Sequence, residues 1–510
     1  GRAVPGGAAW LAPTPEDIVK GVLRSLAVAA TGTGLVLGAT YLSAPMNLAQ
    51  GSSHGPVRTA RAEPITQAQA ICPGPEALGV ADLKDSGVQI SSLTAVAAPV
   101  SALPSGLTEG QRAGSLEIGG LPAAGTWAAP VAVRGQTMTG QLSTAQSALV
   151  AGTGAMAPGT VATQRSRVTT GNDRGLVTAA CLPAAASSWL IAGGADPGRR
   201  ERLVLTNPGP NPVTVDLVVL GVNGPVPSPN GRGLVVGPHA RTVILLDAIA
   251  GSEPSPVVHV IAQGGEVAAV LNDTWLDGVV PRGGDDAVPA AAPAREQVIA
   301  GVAVEGRASL RIAVPGDTEA VVESRVLTAT GPKALPDNGV TRLAAHSSRD
   351  IDLGALPPDA YAVQVRADVP VVAAAMIDRR LPSGTSSDLA WSSASAPIAK
   401  LAGMALPGLG DTGILGRLDL AATYDPASVL VTTVGADGQV SAKEVAIGAD
   451  SVTTLALDGA TSVWVTPRTG VVRAAVLTWS SDASGVLLSV TPLADLTLTT
   501  TSAPLRELRD

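Results

Sequence analysis

The sequence has 510 residues, of which 45% are hydrophobic, and a formal net charge of −8. A chain of this length is expected to form three or four domains with real cores, which excludes disorder throughout. The acidic balance offers no basic face for nucleic acid, so nucleic-acid binding is excluded as well.

The composition favours an all-β fold. With no Phe, three Tyr and seven Trp, the cores must be built from Val, Leu, Ile and Ala, and the β-branched members of that set suit strands. The 58 Gly and 40 Pro are typical of short strands joined by turns and are hostile to long helices.

In chain order, residues 1–22 are predicted to be a cytoplasmic N-terminus and residues 23–45 a transmembrane anchor. The twenty residues from Ser25 to Ala44 carry no charge, which is enough helix to span a bilayer. Lys20 and Arg24 favour a cytoplasmic N-terminus. A cleaved export signal is the alternative. We therefore expect a single-pass cell-membrane protein whose C-terminal domains are extracytoplasmic.

Gly34 and Gly38 lie four residues apart within this apolar segment. Two small residues at that spacing let another transmembrane helix approach closely. They are our candidate helix-packing residues. Residues 46–70 follow without hydrophobic periodicity and are expected to form a flexible tether.

Residues 71–186 are predicted to form an N-terminal β domain distinct from the repeats that follow. Cys72 and Cys181 are the two cysteines of the chain and bracket this domain. Such a pair beyond a membrane segment favours a structural disulfide in an oxidising compartment, with two buried free thiols as the alternative. By closing the loop between the two cysteines, the bridge would stabilise the folded domain by up to ~4.7 kcal/mol.

Three internal repeats follow, at residues 187–292, 293–396 and 397–497, before a C-terminal tail at 498–510. They open on similar apolar-Ala-Gly triplets at Ile191, Ile299 and Leu401. Each offers six or seven short strands in roughly 100 residues, which is typical of an immunoglobulin-like β-sandwich. The rival architecture is a β-propeller, whose blades are shorter. We expect a tandem rod of sandwiches behind the anchor.

The segments Cys181 to Pro183, Ser188 to Gly194, Leu203 to Gly209, and Val213 to Leu217 with Gly221 resemble an uncharacterised family of exported, single-anchor, β-rich proteins of actinobacteria. The resemblance covers most of residues 65–495. It implies a cell-envelope location, an unknown function and genes beside those of envelope glycosyltransferases. This chain departs from the family in lacking Phe, which puts an aromatic ligand platform in doubt.

The sequence offers no convincing catalytic set. Gly51 to Gly55 fits a G-x-S-x-G nucleophile pattern but lies in the tether. His239 and His346 occupy the same place in successive repeats and are interpreted as turn residues before strands. Asn272 to Thr274 with Asp277, and Asp285 with Asp286, could bind Ca²⁺, but solvated loop carboxylates are the favoured interpretation.

Trp275, Trp391 and Trp479 are each placed after the last strand of a repeat, where a core position is favoured over a sugar platform. We therefore predict no catalytic, cofactor-binding or metal-binding residues and no cofactor, and we do not expect an enzyme.

The sequence favours an extracytoplasmic scaffold or interaction protein of envelope polysaccharide or wall biogenesis. Its expected partner is a membrane protein of envelope synthesis, with a glycosyltransferase as the candidate. One alternative is a glycan-binding module array, which would need exposed rings among Trp127, Trp275, Trp391 and Trp464. The other is a hydrolase with a noncanonical site, which would need a deep pocket lined by carboxylates.

Overall fold

Strands dominate the computed structural model of the protein, which describes residues 61–80, 91–122, 125, 127–304, 306–335, 339–354, 356–380, 386–409 and 413–502. Within them the fold is all-β, as the composition predicts. No helix in these ranges is long and apolar enough to cross a bilayer. The predicted anchor at 23–45, with Gly34 and Gly38, lies outside the described residues.

The strands group into four modules. Module 1 consists of β2 (Gln67–Cys72), β3 (Ser91–Ala97), β4 (Leu116–Leu121), β5 (Thr137–Leu142), β6 (Ser147–Thr153), β7 (Thr160–Val168) and β8 (Gly175–Ala180). Module 2 consists of β9 (Ser187–Ile191), β10 (Arg199–Thr206), β11 (Val213–Gly221), β12 (Gly224–Val226), β13 (Leu234–Val236), β14 (Arg241–Leu245), the short helix α1 (Asp247–Ala250), β15 (Val257–Gln263), β16 (Ala268–Asp277) and β17 (Val280–Ala287).

Module 3 consists of β18 (Ala294–Val304), β19 (Gly306–Ala313), β20 (Ala320–Thr328), β21 (Gly331–Ala334), β22 (Val340–Leu343), β23 (Ser348–Asp352), β24 (Asp359–Arg380) and β25 (Ser387–Ser393). Module 4 consists of β26 (Ala402–Ala405), β27 (Leu415–Ala422), β28 (Ala427–Gly435), β29 (Val440–Ile447), β30 (Ser451–Ala456), β31 (Ala460–Thr469), β32 (Val472–Asp482) and β33 (Gly485–Leu493). Three 3-10 turns, Val100–Ala102, Gly154–Met156 and Pro229–Gly231, connect strands in modules 1 and 2.

All four modules share one strand order. In module 2 the order is β14-β10-β16-β17 in one sheet and β12-β11-β15-β9 in the other. Module 4 repeats it as β30-β27-β32-β33 and β29-β28-β31-β26, and module 1 as β5-β3-β7-β8 and β4-β6-β2. In module 3 the single strand β24 serves both sheets, first pairing with β18 and β20 and then with β19 and β25. The N-terminal domain, expected to be distinct, is thus a fourth copy of the same unit.

The modules are two-sheet sandwiches, but their outer strands differ from those of an immunoglobulin domain. There the first strand lies beside the second and the last lies beside the F strand. In module 2 the first strand, β9, pairs with β15 and not with the second strand, β10. The strand that follows β15, which is β16, pairs with β10 and not with β15. The central pairs are retained, because β10 pairs with β14 and β11 with β15.

Alternation of side chains explains why these segments form half-buried strands. Along Val213–Gly221 every second residue from Val213 to Val219 is buried, while Thr214 and Val218 are exposed. Successive side chains of a strand point to opposite faces, so the buried set meets the facing sheet. Small aliphatic residues fill these cores, which suits a chain without Phe.

The four modules close into a ring, whereas the sequence led us to expect a rod. Apolar clusters join module 1 to 2, 2 to 3, 3 to 4, and 4 back to 1. The last strands β8, β17, β25 and β33 contact one another in cyclic order. We call these four the central strands. Each of these strands lies at the edge of its own sheet and is covered by its neighbours in the ring, which protects the edge from solvent.

Two links join distant parts of the chain. Strand β1 (Arg61–Pro64) pairs antiparallel with β34 (Thr499–Ser502), so the two ends of the described chain meet. The predicted disulfide is confirmed: Cys72 and Cys181 are bonded, with their Cα atoms 4.3 Å apart. It lies in the core of module 1 and joins β2 to the residue after β8.

Equivalent turns support the repeat. His239, His346 and Asp450 each have a positive φ, of 48°, 54° and 47°, just before β14, β23 and β30. Few non-glycine residues adopt this left-handed conformation. The interpretation of the two histidines as turn residues is therefore confirmed.

Candidate functional site

The centre of the ring is held by one carboxylate. Asp388 on β25 accepts hydrogen bonds from the backbone N–H groups of Leu176 (3.1 Å), Gly284 (3.2 Å) and Leu488 (2.9 Å). These donors belong to the central strands of the other three modules. Gly283 has a φ of 99°, and a Cβ there would collide with the Asp388 carboxylate. The close approach of β17 to β25 therefore requires glycine.

A second carboxylate extends this network. Asp285 on β17 accepts from the Ser489 hydroxyl (2.9 Å) and from the backbone N–H of Trp391 (2.8 Å). Burial raises the pKa of Asp285 and of Asp388 well above its usual value, although the hydrogen bonds oppose that shift. Both side chains bind the modules together in the interior, away from solvent.

An ion-pair network holds module 2 against module 3. Asp273 on β16 is fully buried and receives two hydrogen bonds from the Arg199 guanidinium, at 3.0 and 2.6 Å. The indole N–H of Trp391 in module 3 also donates to Asp273, at 2.7 Å. Burial alone would raise the pKa of Asp273, but Arg199 and these hydrogen bonds hold it below its usual value. Its ionised form is therefore part of the packing between modules.

These positions correct the sequence interpretation of the acidic clusters. Asp273, Asp285 and Asp286 lie in strands and are 0%, 1% and 4% exposed, so they are not solvated loop carboxylates. The Asp286 carboxylate accepts a hydrogen bond from the side-chain amide of Asn272, at 3.0 Å. No group of three His, Cys, Asp or Glu side chains in the described ranges is arranged to hold a metal ion.

The candidate ligand site is an apolar cavity where the central strands end. We call it the axial cavity. It has a volume of about 470 Å³ and is lined by the segments that follow the four central strands: Ala180–Pro183, Val288–Ala291, Ala394–Ala396 and 492–497. Ligand pockets are usually concave, mostly apolar and of this size.

Polar groups in the axial cavity are few. Asp495 is the only ionisable side chain among the described lining residues, and its Oδ1 already accepts three backbone N–H bonds, from Ala399, Lys400 and Leu401. Thr163 and Ser395 are also lining residues, and their hydroxyl oxygens are buried without a hydrogen-bond partner among the described residues. The feature on which the hydrolase alternative depends, a deep pocket lined by carboxylates, is absent from these lining residues.

Thr163 faces the interface between modules 1 and 4. Val161, two residues earlier on β7, packs against Leu401 and Trp464 in a cluster between these modules. Residues two apart on a strand share a face, so Thr163 points the same way. A buried hydroxyl without a partner costs free energy.

A more polar cleft adjoins the axial cavity. We call it the side groove. It has a volume of about 660 Å³ and lies between module 1 and module 2, lined by Gln67, Gln69, Pro183, 207–211 and Gly264–Glu266 among others. Gln67, Gln69 and Pro183 line both spaces. The two spaces therefore flank the same stretch of β2.

The tryptophans are placed differently from the prediction. Trp275 and Trp479 occupy the equivalent strands β16 and β32, whereas Trp391 lies in the later strand β25. Trp391 and Trp464 are buried, at 1% and 0% exposure, as the core interpretation expects. Trp275 and Trp127 are only partly buried, but Trp275 lies beneath two guanidinium groups. Two of the four candidate rings for glycan binding, Trp391 and Trp464, are thus inaccessible.

The histidines do not converge on a site. His259 stacks on Trp189 with ring centroids 3.9 Å apart, and its Nε2 lies 2.8 Å from the Ser187 hydroxyl. His346 instead lies 2.7 Å from an Asp317 oxygen on a loop of module 3. Burial lowers the pKa of His259. The G-x-S-x-G match at 51–55 lies outside the described residues.

Sequence reasoning missed the axial cavity and the central carboxylates. The cavity is formed by strand ends from all four modules, so no local pattern marks it. One signal was available: acidic residues inside otherwise apolar strands, such as Asp388 before Leu389, are costly unless they are paired in the interior.

Comparisons with known proteins give a family but no activity. No curated protein matches the chain. One solved structure, the crystal structure of a tetra-tandem repeat in the extending region of a large adhesion protein, has 13% sequence identity and covers 84% of this chain and 100% of its own. Its TM-score is 0.10, so it carries no argument about the fold. Residues 137–458 match a family of unknown function, DUF5719, and the chain belongs to that family.

Proposed function

We propose that this protein is an extracytoplasmic interaction protein of the cell envelope, held at the membrane by its N-terminal segment, that binds a partner at the axial cavity. The observation that carries the proposal is the cavity itself. Four modules converge on an apolar space of about 470 Å³. Such a space is suited to binding an apolar group of a partner.

The remaining parts of the proposal come from the sequence. The uncharged stretch from Ser25 to Ala44 supports a single-pass anchor, and the resemblance to exported actinobacterial proteins supports an envelope location. We propose a membrane protein of envelope synthesis as the partner, with a glycosyltransferase as the candidate. The role would be to hold that partner and not to turn over a substrate.

The test compares the full chain with two variants that add the same bulk at different places. Ala494 and Ala442 are both exposed, but only Ala494 lines the axial cavity. Ala494→Trp should abolish cross-linking to the partner in membranes, while Ala442→Trp should keep it. Both variants should melt at the wild-type temperature.

Equal cross-linking by both variants would contradict the proposed site. Hydrolysis of an envelope polymer by the purified protein, abolished by alanine at its carboxylates, would instead support the enzyme alternative and overturn the proposed function.

A further inference from the structure

We propose that β2 is a docking edge to which an extended segment of the partner protein adds as a further antiparallel strand. This inference rests on the interaction function proposed above and specifies how the partner is recognised. Strand addition of this kind takes its affinity from main-chain hydrogen bonds and its specificity from pockets for alternate side chains.

The first argument is the free edge of β2. The sheet order is β2-β6-β4, so β2 has a partner strand on one side only. On its other side the N–H and C=O of Ile71 bond to Leu182, at 2.7 and 2.9 Å. Alternate residues of a strand direct these groups the same way, so those of Gln69 and Gln67 also point away from β6. They have no partner among the described residues, and both residues are exposed.

The second argument is that the neighbouring position on this edge already holds strand-like backbone. Leu182 pairs antiparallel with Ile71 as an isolated bridge. The pairing with β2 does not continue, because Ala185 pairs instead with Val267 of module 2. The edge from Gln67 to Ala70 is therefore left unpaired, whereas the next residue, Ile71, is paired with Leu182 of the same chain.

The third argument is that both spaces border this edge: Gln67 and Gln69 line both, whereas Ala68 and Ala70 line only the axial cavity. Ala70 and Cys72 face the core of module 1. Ile71 faces the other way, packing against Ala268 of module 2. Because side chains alternate, an added strand would direct its side chains in turn towards the axial cavity and towards the side groove.

The lining residues define the chemistry of the segment. Towards the axial cavity it would present apolar side chains of moderate size, because the cavity is built mainly from alanine, proline and other aliphatic residues. Towards the side groove it would meet Glu266, an exposed carboxylate and the only ionisable side chain among that groove's described lining residues. The chain also carries a net charge of −8. The partner segment therefore alternates apolar and basic residues.

The test uses the synthetic peptide acetyl-Lys-Val-Lys-Val-Lys-amide, fluorescently labelled and titrated with the full chain. In an antiparallel pair the residues opposite Gln67 and Gln69 share their face, so these would be the lysines, and their N–H groups would bond to β2. N-methylation of the lysines should weaken binding at least tenfold. The matched control, N-methylation of the valines, should leave binding unchanged.

Two protein variants test the same contacts from the other side. Gln69→Pro removes an N–H that points away from β6, and such edge positions tolerate proline. It should weaken binding about tenfold at an unchanged melting temperature. If Gln69→Pro melts lower, Glu266→Gln takes its place as the deciding variant, because it should weaken the lysine peptide but not a peptide with serine in place of lysine.

The proposal is overturned if the peptide does not bind at millimolar concentration, or if both methylated isomers bind equally. It is also overturned if the protein forms a dimer that Gln69→Pro converts to a monomer, because a second copy would then occupy the edge. Any of these three results would overturn the inference about β2. If Ala494→Trp still abolishes cross-linking to the partner, the proposed function is nevertheless retained.

Discussion

Asp273→Asn tests whether the buried charge network holds modules 2 and 3 together. The Asp273 carboxylate is 0% exposed and accepts from Arg199, from the Trp391 indole and from the Gly193 backbone N–H (3.2 Å). An asparagine there keeps one oxygen but turns an NH₂ group towards these donors. Removing one partner of a buried pair costs about 3–5 kcal/mol when the other charge is left uncompensated. Arg199 keeps Asp196 at 3.0 Å and Glu201 at 3.9 Å, so we expect a cost at the lower end of that range, about 3 kcal/mol.

The control is the same substitution four residues along the same strand. Asp277 pairs with Arg282 at 2.8 Å, but its side chain is 49% exposed. Exposed pairs of this kind are worth up to about 1 kcal/mol, so Asp277→Asn should be nearly neutral. The measurement is the free energy of unfolding from urea titrations of both variants at pH 8.

The pH dependence gives a further check. Because the pKa of Asp273 is lowered on folding, its contribution is fully present above the unfolded value of about 4. The difference between wild type and Asp273→Asn should therefore shrink as the pH falls below about 4. A cost under about 1 kcal/mol at pH 8, equal to that of Asp277→Asn, would refute the role assigned to this network.

Three other substitutions have definite expectations. Burial, with a neighbouring carboxylate, raises the pKa of Glu201 to about 7, so wild-type stability should fall by about 3 kcal/mol as pH rises from about 4.3 through 7, and Glu201→Gln should flatten that part of the profile. Thr163→Val removes a buried hydroxyl without a partner and should stabilise the protein by about 1 kcal/mol. Thr160→Val on the same strand removes the 2.7 Å hydrogen bond from its hydroxyl to the Met156 carbonyl and should destabilise the protein by a similar amount. Thermal melts of both variants measure the difference, and the reverse order would contradict these hydrogen-bond assignments. Replacing Cys72 and Cys181 by alanine should cost up to about 4.7 kcal/mol, and thiol labelling of the denatured, unreduced wild type should modify neither cysteine.

Much of the fold could be predicted because its signals are local. The lack of Phe with abundant Gly and Pro, and the alternation along segments such as Val213–Gly221, indicate short half-buried strands. The recurrence of His239 and His346 before equivalent strands marks a repeated turn. The disulfide could be predicted as well, because the chain contains only two cysteines.

The candidate site could not be predicted, because it depends on which module edges meet. Sequence similarity identified three repeats, yet module 1 has the same strand order with different residues. Pairing with Leu182 also leaves only part of the β2 edge open, and no periodicity in β2 itself distinguishes an open edge from a covered one.

The sequence by itself determined the class of fold, the modular repeat and the covalent link, because periodicity, turn residues and cysteine number act over a few residues or by simple counting. Only the tertiary structure decided that four modules close into a ring, that Asp273, Asp285 and Asp388 are buried in it, and that strand ends enclose the axial cavity. The physical reason is that burying a carboxylate is favourable only where donors from distant segments converge on it. In this protein those donors come from different modules.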